Sequence, residues 1–323
     1  MSASTTSFFL AAPTATIQEG IPRTERFMLT NDNIVCSISG GADSDCMMDV
    51  VTRLSAGREK DVRYVFFNTG IEMQATKEHI AFLQDKYDVP IEEVKPKQSV
   101  PRACQLHGVP FMSKRDAEYI ERLQRHGFKF EDRPFAELYE EYPKCKAALR
   151  WWCDEWGEGS MMSIGRHKGL KEYMVANPPD FKISPRCCDC AKKEPAAKAS
   201  EDADITFIGI RKAEGGARMT TYKTCFIDGK HGKQHFPLFW WSDVDRAAYE
   251  RAFNVQHSRA YTEYGCTRTG CAGCPFGSHF EDELKMLDQF EPALANAARS
   301  IFGKAYEYTR GYREFKAKYK DGR

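Results

Sequence analysis

The chain has 323 residues, 42% hydrophobic and 29% charged, with 47 Lys and Arg against 46 Asp and Glu for a net charge of +1. This is the composition of a soluble globular protein, long enough for one large domain or two smaller ones. A balance this close to zero excludes a global electrostatic footprint for nucleic acid or anionic membrane, so any polyanion site must be a local patch.

Residues 1–19 are rich in Ser, Thr and Ala, with one short apolar piece, Phe8 to Ala12, and no basic residue before it. The piece is too short to span a bilayer and lacks the charge of a secretory signal. Residues 1–22 are therefore expected to form a mobile N-terminal arm. No other segment is long and apolar enough to cross a membrane, and a cytoplasmic location is expected. Asn33 to Ser37 reads as a buried strand, followed by the loop Ser39-Gly40-Gly41-Ala42-Asp43-Ser44. Asp45 to Leu54 places Met47, Met48, Val51 and Leu54 at helical spacing and stops near Gly57. Arg63 to Phe67 reads as a strand, Met73 to Tyr87 as a helix and Ile91 to Val94 as a third strand. This alternation predicts an α/β fold with a doubly wound parallel sheet covered on both faces.

Beyond residue 98 the pattern changes. Residues 99–185 read as a helical, aromatic insertion into the nucleotide-binding core begun by residues 23–98, with a helix over Lys114 to His126. Ile205 to Ile210 is a further apolar strand. Tyr222 to Ile227 and His235 to Trp240 flank a turn-rich segment as a hairpin. Ser242-Asp243 is a cap for a helix running to about Phe253. Residues 186–280 are expected to complete the core and carry a metal-cluster region, and residues 281–323 to form charged C-terminal helices.

A glycine pair between a buried strand and a helix lets backbone N–H groups approach an anion, and the helix N-terminus adds partial positive charge. Ser39 and Ser44 add hydroxyls, with Ser37 at the strand end. Asp43 suits a phosphate site only if it holds a metal or caps the helix, which points to a magnesium-bearing polyphosphate. There is neither a Gly-Lys-Ser/Thr nor a G-x-G-x-x-G sequence, which excludes a Walker loop and a dinucleotide fingerprint.

Twelve cysteines without a secretory signal favour metal or redox chemistry over disulfides. Cys187 and Cys188 are adjacent, and Cys271 and Cys274 form a C-x-x-C after residues 189–270. Four thiolates from two distant pairs can close on one metal centre. Adjacent ligands are awkward on a single zinc and easier on an iron–sulfur cube; structural zinc is the alternative.

The S-G-G-x-D-S loop resembles the PP-loop of the ATP pyrophosphatases, whose superfamily includes the reductases of phosphoadenylyl sulfate (PAPS) and adenylyl sulfate (APS). Cys187-Cys188 with Lys192 and Pro195, followed by Gly270-Cys271-x-x-Cys274, resembles the [4Fe–4S] signature of assimilatory APS reductases, in which the lysine approaches the cluster. Asn68-Thr69-Gly70 resembles the D-T-G segment. Gly209-Ile210-Arg211 with Glu214 and Arg218 resembles G-x-R-x-x-[ED]-x-x-x-R, whose arginines meet anionic groups of the nucleotide. Pro237-Leu238, Trp240 or Trp241 and Asp243-Val244 resemble the P-L-x-x-W…D-V stretch. The resemblance implies an adenine nucleotide alpha-hydrolase-like fold, binding of ATP or a related adenine nucleotide with Mg2+, and a [4Fe–4S] cluster on Cys187, Cys188, Cys271 and Cys274. It places nucleotide-binding roles on Ser37, Ser39, Gly40, Gly41, Asp43, Ser44, Thr69, Gly70, Gly209 and Arg211, and catalytic roles on Asp43, Arg211, Arg218 and Lys192.

Two departures bear on the chemistry. The chain has no cysteine after Cys274, so the nucleophile of the reductases' C-terminal E-C-G-x-H motif is expected to be missing. The loop keeps the full form of ATP-cleaving members. Both favour ATP-dependent adenylation coupled to sulfur transfer, as in the tRNA thiolases and the DNA phosphorothioation sulfur-transfer protein, which this chain resembles along with phage PAPS-reductase-like proteins. A sulfur-donor protein is then an expected partner, and Cys36, Cys46, Cys104, Cys145, Cys153, Cys190, Cys225 and Cys266 are candidate sulfur carriers. The alternatives are sulfonucleotide reduction with an external thioredoxin-type thiol, and a non-catalytic nucleotide- or metal-sensing module. Lys114, Arg115, Arg122, Arg125, Lys129, Lys144, Lys146 and Arg150 alternate with aromatics in the insertion, which suits either a nucleic-acid substrate or a helical lid with Trp151, Trp152 and Trp156 in its core. Arg166-His167-Lys168 suits a polyphosphate or a surface run. A dimer is compatible with the sequence, which does not define the oligomeric state.

Overall fold

The computed structural model describes residues 8, 10–56, 61–157, 160–215, 221–229 and 232–321. The chain divides into two units: Met1–Lys97 with Ala191–Cys271, and Gln98–Cys190 with Ala272–Arg323.

In the first unit, strands β1 (Asn33–Ile38), β2 (Asp61–Phe67), β3 (Ile91–Val94), β4 (Ile205–Ile208), β5 (Phe226–Gly229) and β6 (Gly232–His235) form one sheet in the order β3-β2-β1-β4-β6-β5. Only β5, at the edge, runs antiparallel to its neighbour. Ile34, Val35, Cys36 and Ile38 are buried, as a central parallel strand requires. The strand order reverses between β1 and β4. In a doubly wound sheet that reversal opens a crevice at the carboxyl ends of the two strands, where ligands bind. Helices α1 (Ala15–Thr30), α2 (Ala42–Ser55), α3 (Gln74–Tyr87) and α4 (Asp243–Phe253) contribute to the sheet's hydrophobic core.

The expected arm is corrected over its described residues. Thr14 caps α1 through its hydroxyl and also donates to Asp245 Oδ1 at 2.7 Å. Ile17, Ile21 and Met28 recur on one helix face and are fully buried, at about 1.5–3 kcal/mol each. Phe8 packs edge-on to Phe253 at 5.2 Å and to Tyr249 at 6.3 Å. The hairpin also differs: its strands lie closer to the turn than expected, because Asp228 and Lys233 pair across the ladder. Residues 230–231, in the expected turn, lie outside the described residues.

The second unit is helical, with helices over Val100–His107, Lys114–Arg125, Phe135–Glu141, Lys146–Trp152, Leu170–Ala176, Phe280–Phe290 and Pro292–Asp321. Its core gathers Phe111, Ile120, Phe128, Phe130, Leu149 and the fully buried Trp151 and Trp152, with Tyr312 from the C-terminal helix. Residues 186–190 and 272–280 group with the insertion rather than with the sheet. Among the described residues no helix is long and apolar enough to cross a membrane.

Candidate active site

The loop leaving β1 is organised around one hydroxyl. The Ser39 and Gly41 N–H groups each donate to Ser44 Oγ at 3.2 Å, and the Ser39 hydroxyl reaches the same atom at 3.1 Å. Ser44 Oγ donates to the Gly41 carbonyl at 2.8 Å. Gly40 turns the chain at φ +65°, where a Cβ would stand 2.9 Å from Thr76 Cγ2. The Ala42 N–H, in the first turn of α2, donates to Tyr261 Oη at 3.3 Å, and Tyr261 in turn accepts from the Thr269 N–H at 3.1 Å. Gly209, at the end of β4, lies so close to the start of α2 that a Cβ would sit 3.1 Å from Ser44 N. The sheet's reversal point thus sets the loop and the segment beginning at Gly209 side by side.

A charged network begins one residue before Ser44. Asp43 Oδ1 accepts from Arg211 Nε at 2.7 Å and from Arg246 Nη1 at 3.1 Å. Arg211 is buried; it also pairs with Asp243 at 3.0 Å, and its own backbone N–H donates to Glu214 Oε1 at 3.1 Å. Arg246 Nε pairs with Glu250 Oε1 at 3.1 Å, but misaligned, so that among the described residues the buried Nε has no hydrogen-bond partner. His257 Nδ1 meets Asp45 Oδ2 at 2.8 Å, and its Nε2 lies 3.1 Å from Glu250 Oε1, again misaligned. His79 Nε2 meets the same Asp45 oxygen at 3.0 Å, and Asp45 Oδ1 has no hydrogen-bond partner among the described residues. Burial works against a charge on His257, but its contacts with Asp45 and Glu250 outweigh that and raise its pKa to about 9. The Arg246 guanidinium is desolvated as well, and Asp43 and Glu250 hold it above its ordinary value.

After β2, the Thr69 N–H donates to Glu72 Oε1 at 2.9 Å and the Thr69 hydroxyl also bonds that atom; the Gly70 N–H donates to Glu72 Oε2 at 3.1 Å. The buried Glu72 therefore orders the Asn68-Thr69-Gly70 turn. Thr69 Oγ1 stands 3.6 Å from Cys271 Sγ, the last residue of the first unit.

The other expected ligands belong to the second unit. Cys187 is buried, and its thiol pKa is raised by the neighbouring Cys104 thiol first of all, with Cys188, burial and Cys274 also acting on it. Gly273, at φ +65°, presents its carbonyl to Tyr306 Oη. Among the described residues no three His, Cys, Asp or Glu side chains stand ready to hold a metal ion. Lys192 is exposed on a single π-helical turn, Asp189–Lys193. Arg218 lies outside the described residues. Cys36 and Cys46 are fully buried and burial pushes both thiols up, which suits packing rather than sulfur carriage. Cys153, Cys225 and Cys266 are part-exposed.

Two motifs in the insertion are structural. Trp151 donates through Nε1 to the buried Asp116 at 3.2 Å, and Arg166 and His167 pair with the same carboxylate at 2.6 and 3.0 Å. Trp152 donates to the Glu131 carbonyl at 2.9 Å, and of the three tryptophans in the insertion Trp156 alone reaches solvent, beneath Arg150 at 3.7 Å. Sequence reading missed Arg246, Glu250, His257, Asp45, Glu72 and Tyr261. Only Arg246 and Glu250 carried a local signal, four residues apart on one helix.

Comparison with known proteins places this site in context. The family model for the phosphoadenosine phosphosulfate reductase domain matches residues 33–131 and 162–276, more than half of the chain. An adenosine 5'-phosphosulfate reductase of Neisseria meningitidis is 31% identical over 88 residues, 27% of this chain and 36% of that protein. One from a Chelativorans strain is 29% identical over 121 residues, 33% of this chain and 47% of that protein. The match thus spans less than half the length of either relative. Among solved structures, the PAPS reductase of Candida auris in a phosphate complex is 13% identical with a TM-score of 0.44, over 78% of this chain and 87% of that one. The U34-tRNA thiolase NcsA of Methanococcus maripaludis, solved with its [4Fe-4S] cluster, is 13% identical with a TM-score of 0.37, over 94% and 81%. Both TM-scores lie below 0.5, so nothing about activity follows from them.

Proposed function

We propose a function for this chain from one premise: it belongs to the phosphoadenosine phosphosulfate reductase domain family. The reading is ATP-dependent adenylation coupled to sulfur transfer. The observation that carries it is the convergence of the Ser39 and Gly41 N–H groups and the Ser39 hydroxyl on Ser44 Oγ, with Arg211 bound to the adjoining Asp43. Donors gathered on one point at a helix N-terminus are what a phosphate oxygen needs. An acceptor oxygen attacks the α-phosphorus of ATP, the bond to the β-phosphate breaks, and pyrophosphate leaves; magnesium, when bound with the nucleotide, would neutralise part of the phosphate charge. A sulfur nucleophile then displaces AMP, so the activated oxygen departs with the AMP. Ser39, Gly40, Gly41 and Ser44 bind the phosphates, with Ser37, Thr69, Gly70 and Gly209 shaping the crevice. Arg211, with Arg218, offsets the developing charge, an electrostatic role that counts most in a water-poor site.

The thiol set Cys187, Cys188, Cys271 and Cys274 fits a [4Fe–4S] cluster in donor chemistry, because soft thiolates and adjacent ligands suit an iron–sulfur cube. When bound, that cluster supplies an anionic, redox-tunable centre, and the Lys192 ammonium supplies compensating charge. Sulfur comes from a donor protein; a tRNA or DNA is the acceptor class the reading favours.

A second reading, sulfonucleotide reduction with an external thioredoxin-type thiol, is favoured by the names of the two relatives. One experiment separates the two. Anaerobically purified protein is assayed for pyrophosphate from ATP with bulk tRNA or DNA, and for sulfite from PAPS or APS with thioredoxin. Pyrophosphate release is expected; sulfite without pyrophosphate would overturn the adenylation reading.

A further inference from the structure

Arg211 does not hold Asp43 alone. Arg246, on α4, reaches the same oxygen, so Asp43 Oδ1 sits between two guanidiniums at 2.7 and 3.1 Å. Each guanidinium also meets a second carboxylate, Asp243 for Arg211 and Glu250 for Arg246, so the pair is held in place on both sides of Asp43. Arg246 Nε is buried 3.1 Å from Glu250 Oε1, without an aligned hydrogen bond among the described residues. Its side chain is 30% exposed, whereas that of Arg211 is 4% exposed. Arg211 is therefore enclosed, whereas Arg246 is part-exposed. The carboxylate they share lies one residue from Ser44, where the loop's amide donors converge.

Resting on the nucleotide reading above, we propose that Arg211 and Arg246 form a two-guanidinium seat for the pyrophosphate portion of the nucleotide, occupied by the Asp43 carboxylate until the nucleotide binds. The exchange replaces one anion by another on the same donors, so the guanidiniums are never left bare in the wall. Pyrophosphate gains charge as its bond to the α-phosphorus breaks. The seat therefore grips the leaving group more tightly in the transition state than in the ground state, which is the condition for raising kcat. Glu250 and His257 stand behind Arg246 as positioning residues: Glu250 flanks its Nε, and His257 lies between Glu250 and Asp45.

The test is calorimetric binding of inorganic pyrophosphate, without nucleotide or acceptor, to the full chain and three variants. Arg246→Met is expected to weaken binding about 10- to 100-fold, the loss of one charge-assisted contact. Arg246→Lys, which keeps a charge but not the fork, is expected to fall between them, and it decides the matter should the methionine variant melt early. Asp43→Asn, which removes the resident anion, is expected to tighten binding several-fold. Wild-type affinity in both Arg246 variants would overturn the seat and leave the loop reading standing. Weakened binding in Asp43→Asn would overturn the placeholder role, because it would make the carboxylate an organiser or a metal ligand. A wild-type chain that binds neither pyrophosphate nor ATP would sink the nucleotide reading itself.

Discussion

His257 gives the most direct handle on the site, because its charge is set by the site's own geometry. Burial alone would keep it neutral, yet Asp45 at 2.8 Å and Glu250 at 3.1 Å raise its pKa to about 9. His79 and Arg246 also face this group through Asp45 and Glu250, and Tyr261 packs beside its ring. The folded-state value lies above the ordinary histidine value of roughly 6.5. The charged ring therefore stabilises the fold fully below about pH 6.5, and that contribution disappears as pH rises through 9. Its size is roughly 2–3 kcal/mol at a side-chain exposure of 15%. His257→Gln removes the titration while keeping a polar side chain. Urea unfolding of both chains at pH 6.0, 7.5 and 9.5, followed by hydrogen exchange at α2 amides, should show the wild type ahead at pH 6.0 and the gap closing by pH 9.5. A gap that stays constant across those three points would refute the assignment of positive charge to His257.

The remaining predictions concern separate parts of the chain. Gly40→Ala should cost about 1–3 kcal/mol, from a left-handed φ and a Cβ placed 2.9 Å from Thr76 Cγ2; adding Thr76→Ser should recover the contact part in urea melts but not the backbone part. Ser44→Ala removes the atom on which three donors converge and should weaken ATP about 10-fold by calorimetry. Trp151→Phe leaves Asp116 Oδ1 without its indole donor and should lower stability by about 1–3 kcal/mol without changing pyrophosphate release. Anaerobic protein should carry about four iron and four acid-labile sulfide per chain, lost in Cys187→Ser and Cys274→Ser; a colourless preparation with stoichiometric zinc would overturn the cluster.

What the sequence made legible was local. The strand at residues 33–38, the loop at 39–44 and the helix after it are written contiguously, and backbone chemistry at a strand–glycine–helix junction has few alternatives. The helix from Asp243 was legible for the same reason, from Ser242-Asp243 at its start, and the structure adds Asp245 to the cap. α1 was hidden by a Ser, Thr and Ala composition that resembles a linker and by Pro22 inside the helix. Its buried stripe only makes sense once a sheet exists to receive it. Trp151 and Trp152 show the converse: the sequence left a binding surface and a lid core both open, and their indoles take the core because they find internal acceptors.

The charges around the loop show why a motif alone under-determines a site. Asp43 reads in the sequence as a metal ligand or a helix cap, because its neighbours in the chain offer nothing else. The folded chain brings it Arg211 from beyond β4 and Arg246 from α4, so that its carboxylate pairs with two guanidiniums. Asp45 and His257 stand in the same relation: neither belongs to a motif, and they meet only because α2 and the segment after α4 pack in one unit. The proposed anion site therefore draws on residues distant in sequence as well as on the loop. With two guanidiniums on its Asp43 oxygen, the site makes Arg246 as much as the glycine pair the residue to test in choosing between a pyrophosphate-releasing and a sulfite-releasing reaction.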